Sequence, residues 1–148
     1  MKDEIIDKII DNIMKVALNA RKHIDKPRRA AGESALSHHR IFCLLYLNEI
    51  RSTSMSELAR KAGVSNQQLT RIVNELEEAG CVERSAGEKN RRQVFVNITD
   101  KGDEETETYR RSAHEYMKQK FTAFSVSELE DFYGHLTALI SYWKKFES

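Results

Sequence analysis

A mostly α-helical fold with one small β-hairpin is what this sequence predicts, and three observations carry that expectation. Apolar residues recur at helical spacing near both ends of the chain. Two short helices with polar caps and glycine stops occupy the middle. A stretch alternating with period two follows them, behind a polar, glycine-containing tip.

The elements follow in order. Ile5, Ile6, Ile9, Ile10, Ile13, Val16, Ala17, Ala20 and Ile24 form a wide apolar face on a first helix over about 2–24. That helix ends before Pro27, because a residue preceding proline disfavours helical angles. Residues 25–36 are polar and basic, contain Gly32 and read as a loop. Ser37 is placed as the cap of a second helix carrying Ile41, Phe42, Leu44, Leu45, Leu47 and Ile50. Arg51-Ser52-Thr53 then reads as a linker. Ser54-x-x-Glu57 has the form of a capping box, in which each side chain satisfies the other residue's exposed N–H. The short helix it opens stops at Gly63. Ser65-x-x-Gln68 repeats the logic for a helix that turns Leu69, Ile72, Val73 and Leu76 inward and stops at Gly80. Residues 81–84 and 93–98 are extended around the tip 85–92. A long helix resumes after Thr99, and Ser125-x-x-Glu128 caps the last one. One domain spanning 1–148 accommodates all of this.

Composition narrows the function classes. With 148 residues the chain buries a core without disulfides or metals. Hydrophobic residues at 40% and charged residues at 32% describe an ordered globular chain. No apolar run reaches bilayer length, and the charged N-terminus followed by an amphipathic stretch is unlike a signal peptide. Cys43 and Cys81 each sit in apolar surroundings without Cys-x-x-Cys spacing, so a reducing cytoplasmic setting and inert packing are expected. The five histidines form no ligand-spaced pair, so neither metal nor cofactor is expected. No nucleophile–base pair or phosphate-binding glycine loop argues for an enzyme.

Charge is uneven behind a net +1. Residues 1–54 sum to +3, 55–101 to +1 and 102–148 to −3. Arg84 to Arg92 holds +3 in nine residues, and Arg21 to Arg29 holds +4. Local basic patches are where a nucleic-acid footprint belongs.

Two short helices joined through a glycine, followed by a hairpin, form a winged helix-turn-helix. In that motif the second helix enters the major groove. Ser65, Asn66, Gln67, Gln68, Thr70 and Arg71 stand at its start and on its polar face. Asn and Gln match the adenine edge and Arg the guanine edge in donor and acceptor spacing. The plainer reading, a cap alone, suits Ser65.

From Met55-Ser56-Glu57-Leu58-Ala59-Arg60-Lys61-Ala62-Gly63-Val64-Ser65, through Leu69-Thr70-Arg71-Ile72-Val73-Asn74-Glu75-Leu76-Glu77, to Ala79-Gly80-Cys81-Val82-Glu83-Arg84, the chain resembles the multiple antibiotic resistance regulator (MarR) family. Arg91-Arg92, the strand Val94 to Ile98 and Thr99-x-x-Gly102 continue the resemblance. It implies a homodimeric transcriptional regulator, a repressor, on a pseudo-palindromic double-stranded operator. The winged core would span about 37–99, flanked by dimerisation helices at about 2–24 and 100–146. Arg92 matches the family's wing-tip arginine, which enters the minor groove. Asn90 stands where the family usually has an aspartate that holds this arginine. Lys89 and Arg91 fit phosphate contacts, with solvated loop charge a competing reading for Lys89.

The terminal helices carry more apolar surface than a compact winged module covers. The resemblance places the dimer interface there, and Ile5, Ile6, Ile9, Leu136, Leu139, Ile140 and Trp143 are assigned to it, with packing inside one chain as the alternative. The family also has a pocket for phenolic or other anionic effectors. Candidate lining is His38, His39, Arg40, Tyr46, Tyr109 and Tyr116, although the two tyrosines on the long helix equally fit a helical core stripe. The competing function is a winged helix used for protein contact, with weak or no specific DNA binding.

Overall fold

The computed structural model describes residues 1–24 and 36–146. Its elements are α1 (Lys2–Ile24), α2 (Leu36–Ile50), β1 (Ser52–Ser54), α3 (Met55–Ala62), α4 (Asn66–Glu78), β2 (Val82–Ala86), β3 (Val94–Ile98), α5 (Asp100–Phe121) and α6 (Val126–Trp143), closed by a 3-10 turn at Lys144–Phe146. The mostly α-helical architecture with a small antiparallel sheet is the one expected. The loop with Pro27 and Gly32, and the side chains of Arg21–Arg29, lie outside the described residues. Helix α2 already starts at Leu36, so Ser37 stands in its first turn rather than before it.

The chain divides into two compact units, Met1–Ser112 and Ala113–Ser148. In the first, Cys43, Leu44 and Leu47 of α2, Leu58 and Ala59 of α3, and Leu69, Ile72, Val73 and Leu76 of α4 meet Cys81, Val82, Val96 and Ile98 of the sheet in one core. The second unit holds the end of α5 and all of α6. There Phe121, Phe124 and Phe132 form a ring cluster with centroids 5.5–6.4 Å apart. No residue of α6 is fully buried.

The stops of α3 and α4 are both Schellman turns. After α3 the Val64 N–H reaches the Ala59 carbonyl at 3.1 Å, with Gly63 left-handed at φ 65°. After α4 the Cys81 N–H reaches Leu76 at 2.8 Å and the Gly80 N–H reaches Glu77 at 2.9 Å, with Gly80 at φ 74°. These bonds satisfy carbonyls that a helix end leaves open.

The sheet has three strands, ordered β1-β3-β2, all antiparallel. The expected hairpin is β2–β3, with Arg84 opposite Val96. The third strand corrects the linker reading of Ser52 and Thr53. Thr53 pairs opposite Val96 and is buried, and the Ser52 hydroxyl donates to Asn97 Oδ1 at 2.6 Å. Three polar residues show no period-two pattern, so only the long-range partner makes them a strand.

Arg51 ends α2 at φ 71°, a left-handed conformation that costs a non-glycine residue about 1 kcal/mol or more. Its guanidinium holds Asp103 of α5 through two bonds of 2.7 and 2.8 Å, and Asn48 donates to the same carboxylate at 2.7 Å. The Arg51 hydrogen bond, then that of Asn48, pull the Asp103 pKa below its ordinary 3.8. A depressed carboxylate stabilises the fold above its ordinary pKa and loses that contribution as pH falls through the folded value. Asp103→Asn is therefore expected to lower the thermal midpoint near neutrality. The gap to the parent should close in acid; a gap constant with pH would show that the charge of Asp103 is immaterial.

Candidate nucleic-acid interface

Helix α4 has the two faces its sequence implies. Leu69, Ile72, Val73 and Leu76 are fully buried, whereas Asn66, Gln67, Gln68, Thr70 and Arg71 are exposed. Its start is a complete capping box: the Gln68 N–H donates to Ser65 Oγ at 3.2 Å and the Ser65 N–H to Gln68 Oε1 at 3.0 Å. Ser65 and the carboxamide oxygen of Gln68 are thus used in holding the helix. Thr70 donates its hydroxyl proton to the Asn66 carbonyl at 2.9 Å and keeps only acceptor capacity outward. The side chains of Asn66, Gln67 and Arg71 make no hydrogen bond or ion pair among the described residues. A pre-formed helix start presents them to a ligand edge without first breaking internal bonds.

Helix α3 supports this helix with half the expected cap. Ser54 Oγ accepts from the Glu57 N–H at 3.2 Å, but the Glu57 carboxylate turns to Arg60 instead of returning to Ser54. The guanidinium fork outcompetes a single backbone N–H because it offers two charge-assisted bonds.

In the wing, Lys89, Arg91 and Arg92 are exposed and their side chains have no partner among the described residues. Asn90 does not hold the Arg92 guanidinium. Its Oδ1 accepts from the Arg92 backbone N–H at 3.0 Å, and its carbonyl accepts from the Gln93 N–H at 3.0 Å. Asparagine therefore shapes the turn and leaves the arginine side chain untethered. Arg84 differs from its basic neighbours. It is half-buried, ion-paired with Glu77 and donates to Asn74 Oδ1 at 2.7 Å, bracing the strand β2 against α4. Sequence alone counts it as wing charge; the acceptors Asn74 and Glu77, three apart on one helix face, are the signal that could have found this role.

The other assigned residues are dispersed. Ile5, Ile6 and Ile9 on α1, and Leu136, Ile140 and Trp143 on α6, are exposed in the single chain, with Leu139 half-buried. His38 is exposed and meets the half-buried His39 edge-on at 5.7 Å. Tyr46 stacks on Phe42 at 6.2 Å and packs against the core. Tyr109 and Tyr116 are half-buried, and the Tyr116 hydroxyl is buried without a hydrogen-bond partner. Of the six candidate ligand residues only Arg40 lines the cleft of about 150 Å³ that it forms with Ile41, Leu44, Ala79, Cys81, Lys101 and Glu105. Burial pushes the Cys43 thiol up to about 12 and raises that of Cys81, which disfavours a thiolate at both. Among the described residues no group of three His, Cys, Asp or Glu side chains is placed to hold a metal, and no helix is long and apolar enough to cross a membrane.

Comparison with known proteins agrees with this geometry. Residues 36–94, which build α2 through the wing, match the MarR family. The transcriptional repressor MprA of Escherichia coli is 34% identical over 80 residues, 54% of this chain and 46% of its own length. The HTH-type transcriptional regulator YfiV of Bacillus subtilis is 29% identical over 96 residues, 65% of this chain and 60% of its own length. The matches therefore span about half to three-fifths of these relatives. Among solved structures, a mutant of MarR from E. coli superposes with a TM-score of 0.75 at 18% identity, covering 88% of this chain and 94% of that one. The transcriptional regulator BldR from Sulfolobus solfataricus gives 0.69 at 25% identity, covering 93% and 97%. The segment that forms the paired helices and the wing is thus similar to the MarR family, and the fold is shared with MarR.

Proposed function

We propose that this protein is a sequence-specific double-stranded DNA-binding transcriptional regulator, acting as a homodimeric repressor that a small ligand releases. The observation that carries it is the outward face of α4, where Asn66, Gln67 and Arg71 stand unpaired on a helix whose opposite face is fully buried. Asn66 and Gln67 suit adenine and Arg71 suits guanine, while Thr70 accepts from an exocyclic amine. Lys89 and Arg91 neutralise phosphates, and Arg92 is free to enter an A·T-rich minor groove. Two copies related by a two-fold axis would read half-sites ~34–36 Å apart. The repressor sign is supported by the name of MprA, and the exposed apolar residues of α1 and α6 support the dimer. Aromatic or anionic effectors are the class that the family resemblance implies.

Salt dependence on a selected oligonucleotide tests the reading. Lys89 and Arg91 in two copies make about four phosphate contacts, so the logarithmic slope should be about −3.6. That is a fall of ~150-fold between ~50 and ~200 mM salt. Binding that is flat across this range would instead fit a protein-contact module. Arg71→Ala should weaken the selected site by ~10- to 100-fold while leaving random DNA nearly unaffected, since a bidentate base contact is worth about 1–3 kcal/mol of discrimination. Equal losses on both DNAs would remove Arg71 from base reading.

A further inference from the structure

The cleft beside Arg40 has a chemistry that the DNA-binding reading leaves unused. It lies entirely within the first unit, where α2, the turn after α4 and the first turns of α5 meet. Its apolar wall is Ile41, Leu44 and Cys81, and its charged lining is Arg40, Lys101 and Glu105. A volume of about 150 Å³ equals that of engineered apolar cavities that hold a benzene-sized body.

The charged lining is incompletely satisfied. Arg40 Nε is shielded from solvent and makes no hydrogen bond, its nearest carboxylate oxygen being Glu75 Oε2 at 3.8 Å. Buried donors are ordinarily paired, so Glu75 at this distance compensates the Arg40 charge only loosely. Lys101 and Glu105 are four apart on α5 yet do not pair with each other or with any other described residue. Lys101 instead arches over the turn, its Cδ 3.5 Å and its Nζ 3.9 Å from where a Cβ on Gly80 would lie. A lysine preceding glutamate on a helix is the weaker order for such a pair, which leaves both ends available. All three side chains line the same cleft as Cys81.

A simple anion would satisfy the cations but face the Glu105 carboxylate. A simple amine would face Arg40 and Lys101. We infer that this cleft binds a free α-amino acid with a small aliphatic side chain, its carboxylate drawn by the charges of Arg40 and Lys101, its ammonium on Glu105, and its side chain against Ile41, Leu44 and Cys81. The site is distinct from the histidine and tyrosine candidates, and only its consequence for operator release rests on the regulator reading. An occupant there would bridge the end of the recognition helix to α5, and therefore bears on how α4 is held.

Calorimetric titration of the full chain with L-valine, without DNA, tests the binding. Saturable uptake with a Kd below ~1 mM is expected. 3-Methylbutanoate, which lacks the ammonium, should bind at least tenfold more weakly. Glu105→Gln and Lys101→Met should each weaken valine binding at least tenfold with thermal midpoints unchanged, since both side chains are exposed. No saturable uptake of valine, equal binding of the des-amino acid, or indifference to both substitutions would overturn the assignment. Because operator DNA is absent from the titration, these failures leave the DNA-binding reading intact, and failure of the salt test leaves this one intact.

Discussion

Gly102→Ala is expected to cost the protein ~3 kcal/mol of unfolding free energy, read from the urea midpoint. Gly102 lies in the first turn of α5, where the helix presses on the end of the sheet. A Cβ there would sit 2.2 Å from the Cys81 carbonyl oxygen and 2.6 Å from Ile98 Cγ1. Neither neighbour gives way easily. The Cys81 carbonyl already accepts the Thr99 N–H at 3.0 Å, and Ile98 is a buried core residue. Thr99 ties the same corner twice more, accepting from the Gly102 N–H at 3.2 Å and donating to the Gly80 carbonyl at 2.6 Å. A methyl group must therefore displace helix from strand, and overpacking of a rigid site typically costs about 1–3 kcal/mol before any hydrogen bond is lost. An alanine variant as stable as the parent would mean that this corner is looser than the distances imply.

Trp143→Glu is expected to convert the proposed dimer into a folded monomer in sedimentation equilibrium. Trp143 is 48% exposed in the single chain, and Ile140, one turn earlier on α6, is 56% exposed. Large apolar side chains left open in this way are satisfied by a self-complementary surface. A carboxylate buried there without a partner costs several kcal/mol. Operator affinity should then fall at least ~100-fold, because two linked half-site contacts become independent ones. Helix content should be unaffected, since no intrachain core contact is removed. An intact dimer at micromolar concentration would exclude Trp143 from the interface.

Much of the architecture was legible because it depends on neighbours in sequence. Gly63 and Gly80 announced left-handed stops, Ser65 with Gln68 announced a capping box, and both helix ends are built that way. The buried stripe of α4 follows directly from its spacing. What could not be read depends on partners far along the chain. Strand β1 exists because β3 offers an edge more than forty residues later, as the pairing of Ser52 with Asn97 shows. Arg51 adopts a conformation suited to glycine because Asp103 holds its side chain. Glu57 abandons its cap for Arg60, a local competition that the capping pattern alone does not rank. The outward polar face of α4 was legible as a set, and the structure divides it: Ser65 and Gln68 maintain the helix, while Asn66, Gln67 and Arg71 remain uncommitted.

The neutral amide of Asn90 has a further consequence for how this wing behaves in solution. A turn closed by a carboxylate and a guanidinium tightens or slackens with ionic strength and with acid. Here the turn is closed by an uncharged oxygen on a backbone N–H, an interaction that neither titrates nor is screened by salt. The wing's shape should therefore be the same in dilute and concentrated electrolyte, while the Arg92 side chain samples its rotamers independently of it. In the proposed complex, added salt would then act on the counterions around the DNA and not on the wing's own geometry, so the steepness of a salt titration would count phosphates directly.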